Sequence, residues 1–157
     1  MKLDKIDKKI LDTLQRDGRI TNAKLAATVG ISPPAMLERV RRLETAGVIS
    51  KYVALVNREK IGLGVMAIVA ISLAVHELES VDKFQEKLLA LDEVLECHQV
   101  TGEDDFILKV ALESIQAYSE FAMHKLAAIP GIRNFKSSFV LSTIKDSTCF
   151  PVKIGEK

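Results

Sequence analysis

Residues 65–144 run twice through one pattern of strand, helix and strand, and this duplication limits the fold more than any other feature of the chain. The first unit has an apolar, β-branched stretch over 65–75. A helical repeat beginning at Ser80 follows, with Val81, Phe84, Leu88 and Leu91 on one side, then a strand over 94–101. The second unit has a strand over 106–113. A helix begun by Ser114 follows, with Ile115, Tyr118, Phe121, Ala122 and Ile129 on one side, then a strand over 132–144. The helices end alike, LALDEVLE beside AAIPGIRN. Apolar residues at every second position make strands, and at every third or fourth make helices. Two such units in tandem predict a ferredoxin-like βαββαβ sheet with both helices on one face.

That prediction leaves the other face bare. In the first strand Val65, Ala67, Val69, Ile71 and Leu73 alternate with Met66, Ile68 and Ala70. Both rows are apolar, and a strand apolar on both rows calls for burial on both. A second copy of the sheet is the simplest cover, which predicts a homodimer built on this half.

The front half has a different character. Up to Val56 it holds eleven Lys and Arg against six Asp and Glu, a surplus of five positive charges, while the remainder carries a deficit of four. A basic front and an acidic back point to two tasks. Ile6, Ile10, Leu11 and Leu14 mark a helix from about Asp4, ended by Gly18. Thr21 caps a second helix, with Leu25, Ala26 and Val29 as its apolar side. Gly30 turns the chain into ISPPAMLERVRRLETAG. There Ser32 offers a capping hydroxyl, Pro33 suits the first helical position, and Gly47 supplies a left-handed stop. Met36, Leu37, Val40 and Leu43 form the predicted core side of this third helix. Its outer face is small at the start and basic further on.

A short helix, a Gly turn and a longer helix of this kind are a helix-turn-helix. Residues 48–56 are β-branched and predict a short strand or wing. The third helix of such a motif enters the major groove by its N-terminal end. This brings Ser32, Pro34, Ala35 and Glu38 near base edges, with Arg39 and Arg42 reaching phosphates or guanines. Thr21 and Asn22 open the second helix, whose first N–H groups suit a phosphate. Arg41 flanks the third helix, and Lys51 lies in the wing. The predicted class is α+β: a winged helix-turn-helix domain over 1–56, a linker over 57–64 (NREKIGLG), and a ferredoxin-like domain over 65–157.

Other chemistry is sparse. Cys97 and Cys149 are too few for a disulfide framework or a metal cluster. Cys97 and His98 are adjacent on a strand and point to opposite faces. His76 and His124 bring no partners in sequence, and Gly62 and Gly64 are not followed by the Gly-Lys-Ser/Thr of a phosphate loop. No nucleophile stands beside a base. The expectation is therefore no enzyme, no metal and no cofactor. The charged N-terminus is unlike a signal peptide, and the longest apolar run, 65–71, is far short of a membrane span, so a soluble cytoplasmic protein is expected. With 48% hydrophobic and 27% charged residues, the chain is not a disordered one.

Four stretches in order, LDKIDKKILDTLQRDGRIT, VGISPPAMLERVRRLETAGVI, ECHQVTGEDDFILKV and IPGI, resemble the leucine/asparagine-responsive transcriptional regulators, the Lrp/AsnC or feast/famine family. The resemblance runs from about Leu3 to Lys145. It implies an N-terminal winged helix-turn-helix, a C-terminal domain that binds amino acids, and dimers assembled into rings, usually of four dimers, with effector pockets between them. In the family the turn after the second sheet strand lines that pocket, with the pattern Ser/Thr-Gly-x-x-Asp-Tyr/Phe. Here it reads Thr101, Gly102, Glu103, Asp104, Asp105 and Phe106, preceded by Val100. Gly102 would admit a ligand close to the backbone, and Asp105 would answer an ammonium group. Asp104 stands where a bulky residue is usual. Phe139 matches a last-strand aromatic position linked with effector response. The implied function is a DNA-binding regulator whose oligomeric state or DNA affinity an amino acid or similar small molecule modulates. Two alternatives remain. Some relatives decarboxylate iron tetrapyrroles on this architecture, against which the basic third helix argues. An assembly partner without its own DNA target is the other.

Overall fold

The computed structural model describes residues 1–74 and 78–153. Val75 and His76 lie outside them, as do the side chains of Ser80 and Val81, so the expectations placed on those positions are not addressed. The chain divides into two compact units, one of 1–55 with 145–157 and one of 56–144.

The first unit is built from α1 (Lys5–Arg16), α2 (Asn22–Val29) and α3 (Pro33–Thr45). Ile10, Leu25, Ala26, Met36 and Leu43 are buried between them, with Ile6, Leu14, Val29, Val40 and Ile49 packed around. Asp4 and Asp7 form a reciprocal capping box at the start of α1. Thr21 caps α2 by accepting from the Lys24 N–H, and Gly30 closes it in the left-handed conformation at φ 85°. Several expectations fail locally. Ser32 is the N-cap residue of α3 but makes no side-chain cap bond, and the Pro after it has no N–H to offer. Leu37 is 43% exposed. It stands about 100° around the helix from Met36, on a flank that nothing covers. Gly18 does not end α1; Asp17 is the C-cap, and no left-handed glycine stands there. The wing expected over 48–56 forms no strand. A strand needs a neighbouring backbone, and no described residue pairs with this one.

The tail corrects the predicted domain boundary at 65–157. Residues 145–153 pack with the first unit, not the second. The Gln15 side-chain amide donates to the Phe150 carbonyl at 3.1 Å, and its oxygen accepts the Phe150 N–H at 2.7 Å. The Cys149 thiol lies 3.3 Å from the Gln15 carbonyl. One side-chain amide thus treats the tail as a neighbouring strand would.

The second unit opens with the expected linker, which is ordered: Arg58 Nη1 donates to the carbonyls of Leu63 and Gly64, each at 3.0 Å, around a 3₁₀ turn at Glu59–Ile61. Then come β1 (Val65–Leu73), α4 (Leu78–Leu89), β2 (Val94–Gln99), β3 (Phe106–Leu112), α5 (Ile115–Glu120) with a π-helical continuation over Phe121–Leu126, and β4 (Ile132–Phe139). The sheet order β2-β3-β1-β4, antiparallel throughout, is the predicted ferredoxin-like one. Its helix-covered face buries Ala67, Val69, Ile71, Phe84, Leu88, Phe106, Leu108, Val110 and Phe121. Ile115, expected on the apolar side of α5, is 65% exposed; it is the first residue of the helix, and Tyr118 is where the helix meets the core. The last strand stops at Phe139, opposite Ala67, instead of at 144; one bond beyond it, the Val140 N–H still donates to the Met66 carbonyl at 2.9 Å.

The second face of β1 stays open. Ile68 is exposed, and Met66 and Ala70 are half-buried. Across the ladders they sit opposite Ala111, Lys109 and Ile107 on β3, and Ser138 and Lys136 on β4. Lys109 pairs with Glu96 at 3.0 Å on this face. The uncovered surface is therefore an apolar stripe bordered by charges.

Candidate DNA-binding surface and effector turn

The turn between α2 and α3 is fixed by one side chain. Asn22 Nδ2 donates to the Pro33 carbonyl at 2.8 Å, which holds the beginnings of the two helices together. With Met36 and Leu43 inward, Ser32, Pro34, Ala35, Glu38, Arg41 and Arg42 are exposed. Lys51 is exposed in the segment after α3. The structure therefore gathers most of the expected DNA-facing residues on one accessible helix face.

Arg39 and Arg42 are committed elsewhere. Arg39 Nη1 pairs with Asp4 at 2.7 Å and Asp7 at 2.8 Å. Arg42 Nη2 lies 2.9 Å from each oxygen of Asp7. Asp7 is 1% exposed, against 51% for the Arg42 side chain. The Asp7 backbone N–H, followed by Arg39, holds the Asp4 carboxyl below the usual carboxylate range, and Asp4 in turn raises the Arg39 guanidinium. Arg41 has no ion pair among the described residues. Sequence reasoning missed Asp4 and Asp7; their i, i+3 spacing on α1, matching that of Arg39 and Arg42 on α3, was the available signal.

The turn after β2 is braced against the end of β1. Asp105 accepts the Leu73 N–H on its carboxylate at 2.8 Å, and its own N–H donates to the Ile71 carbonyl at 2.8 Å. Val100 N–H donates to the Asp105 carbonyl at 2.9 Å. Ser72 Oγ donates to Asp104 at 3.0 Å. Both aspartates thus turn toward β1. Thr101, Gly102 and Glu103 are exposed. Gly102 has φ 127°, and no atom lies within 4 Å of where a Cβ would stand. The turn is rigid at its base and open at its tip, and the open tip is where a ligand could meet backbone.

Phe139 is not part of this turn within one chain. It pairs with Ala67 and packs edge-on to Tyr118, ring centres 4.9 Å apart. The turn adjoins Ile71, four residues along β1, about 13 Å at strand spacing. A cleft of about 350 Å³, unanticipated from the sequence, lies between α4 and β2 and is lined by Leu88, Leu89, Leu95, Cys97 and Phe106 among others. No group of three or more His, Cys, Asp or Glu among the described residues could hold a metal ion. No described helix is long and apolar enough to cross a membrane.

A helix-turn-helix unit joined to a ferredoxin-like unit with an open, glycine-tipped turn defines a class: DNA-binding regulators with a ligand-binding domain. Family models also divide the chain in two, with the second match running on into the tail. The winged helix-turn-helix DNA-binding model matches residues 3–50, and the Lrp/AsnC ligand binding domain matches residues 66–149. The chain belongs to the Lrp/AsnC family of transcriptional regulators. It is 36% identical over 151 residues to the leucine-responsive regulatory protein of Escherichia coli K12, covering 96% of this chain and 92% of that one. A transcriptional regulator of Neisseria meningitidis, solved in complex with L-methionine, superposes with a TM-score of 0.93 at 36% identity, covering 97% and 98% of the two chains. A feast or famine regulatory protein of Mycobacterium tuberculosis, complexed with L-methionine, gives 0.86 at 32% identity, covering 95% and 99%.

Proposed function

We propose that the chain reads duplex DNA with the outer face of α3 and that a free amino acid, bound beside residues 100–105, sets how it does so. The observation that carries the reading is the pairing, in one chain, of an accessible small-then-cationic helix face with a braced turn whose tip at Gly102 is open. Ser32, Pro34, Ala35 and Glu38 face bases; Arg41 and Lys51 face phosphates. Thr21 and Asn22 fix the start of α2 and its junction with α3. At the turn, backbone N–H groups near Gly102 suit a carboxylate, and the acids around it suit an ammonium group. The relatives solved with L-methionine support an α-amino acid as the effector class. The open apolar stripe of β1 supports a homodimer formed sheet to sheet, and family likeness supports a tetramer of such dimers, which would bring Phe139 of one copy within range of another copy's turn. The role is regulatory, in the cytoplasm, without a catalytic step.

A thermal screen against each amino acid, followed by DNA titrations with and without the best stabiliser, tests both halves. The expected result is salt-sensitive DNA binding and one amino acid that raises the melting temperature and shifts DNA affinity by about 5–150-fold. Salt-insensitive binding overturns the DNA half. A screen in which no amino acid shifts melting overturns the effector half.

A further inference from the structure

Asp7 and Ser72 are the only buried polar or charged residues described, and Asp7 alone carries a charge. A buried carboxylate persists as an ion only when its oxygens are paired. Here the pairs come from the reading helix. One Asp7 oxygen meets Arg39 Nη1 and Arg42 Nη2, and the other meets Arg42 Nη2 and the Asp4 N–H, at 2.8–3.2 Å. Arg39 continues to Asp4. Arg39 and Arg42 are three residues apart, so the grip runs along one edge of α3. At the roughly 5 Å radius of helix side chains, a 20° roll of α3 would move their tips by about 2 Å, out of hydrogen-bond reach.

We propose that Asp7 is a positioning residue for DNA reading. It fixes the roll of α3, and it withdraws Arg39 and Arg42 from the cations that meet phosphate, leaving Arg41 as the phosphate contact of that helix. The proposal rests on α3 being the reading helix. The four clamp residues, Asp4, Asp7, Arg39 and Arg42, sum to zero charge, so the positive surplus of the front half resides elsewhere. An arginine freed from the clamp would attract phosphates of any sequence, because phosphate contacts carry no sequence information. The clamp therefore favours selectivity over bare affinity.

The test uses the full chain and two duplexes: one selected by the unaltered protein from a random pool, and a shuffled duplex of the same composition. Affinities are measured across a salt series. Asp7→Asn keeps the shape and removes the charge. It should steepen the dependence of log affinity on log salt by about 1–2 per protomer, and lower the selected-over-shuffled affinity ratio at least tenfold. A residue with only a folding role would change neither. Arg41→Ala should flatten the salt dependence by about 1 per protomer, whereas Arg42→Gln should lower the ratio and leave the salt dependence in place. If Arg42→Gln flattens the slope as Arg41→Ala does, Arg42 is itself a phosphate contact and the proposal is overturned. Folded Asp7→Asn with unchanged slope and ratio also overturns it. Where circular dichroism finds Asp7→Asn unfolded, the contrast between Arg41→Ala and Arg42→Gln still decides. An unaltered protein that binds neither duplex refutes the reading helix, a distinct result.

Discussion

Replacing Asp105 by Ala and by Asn separates two jobs that one carboxylate can hold. Its side chain accepts the Leu73 N–H at 2.8 Å, and Leu73 is 3% exposed. Alanine removes the acceptor and leaves a buried donor unsatisfied, at a cost of about 1–3 kcal/mol. Asparagine keeps an acceptor oxygen in the same place and should cost under about 1 kcal/mol. The second unit spans residues 56–144, and a unit of that size loses about 4–8 °C per kcal/mol. A central value of about 2 kcal/mol thus predicts that Asp105→Ala lowers the melting of this unit by roughly 8–16 °C, while Asp105→Asn stays within a few degrees. The same melts repeated with the stabilising amino acid give the second reading. If the charge answers an ammonium, Asp105→Asn loses the ligand shift although its ligand-free melting is near normal. Asp105→Ala melting within about 2 °C of the unaltered protein would refute the bracing role. A full ligand shift in Asp105→Asn would refute the ammonium role and move recognition to the backbone around Gly102.

Three further outcomes are expected. Ile68→Asp, on the open face opposite Lys109 and Ser138, should abolish the proposed sheet-to-sheet dimer and leave a folded monomer in light scattering; a variant that stays dimeric moves self-association to another surface. Gln15→Ala removes both amide bonds to Phe150, each contributing about 1 kcal/mol at most in so exposed a place, and should speed hydrogen exchange at the Phe150 N–H; unchanged exchange would show that the tail is held otherwise. Asp4 has its folded-state pKa lowered by the Asp7 N–H and Arg39. The unfolded chain therefore binds the proton more readily, and the contribution is present above about pH 4 and lost as pH falls through the lower folded value. The stability gap between the unaltered protein and Asp4→Asn, under about 1 kcal/mol for a half-exposed pair, should be seen at pH 7 and shrink as pH falls below about 4; a gap that does not shrink in acid refutes the assignment.

Periodicity made the second unit legible because its information is local. Val69 and Ile71 announce a core face by their spacing, Phe84 and Leu88 by theirs, and the tandem of two such units admits few sheet orders. The site was legible more coarsely. The turn at 100–105 stood out by its glycine and acids, yet the direction of Asp105 depends on a Leu73 N–H 32 residues away, which no spacing rule contains. The tail was illegible for a related reason. Phe150 is held by its backbone, through a glutamine 135 residues earlier, and backbone bonding leaves no mark in side-chain pattern.

The arginines teach the sharper point. A helical projection places Arg42 toward the outer face, and its side chain is indeed half exposed. A projection describes Cβ directions, however, and an arginine carries its charge several bonds farther. What decides where the guanidinium goes is the strongest acceptor in reach. A buried carboxylate with unpaired oxygens outbids water, since leaving it unpaired costs several kcal/mol. Asp7 sits on α1, packed within reach of α3, so it captures the head groups of Arg39 and Arg42. Arg41, next in sequence but about 100° away around the helix, is exposed and has no ion pair among the described residues. Counting cations on a helix face therefore overstates what is available to DNA, and the correction lies in asking which acids the fold has buried beneath that face.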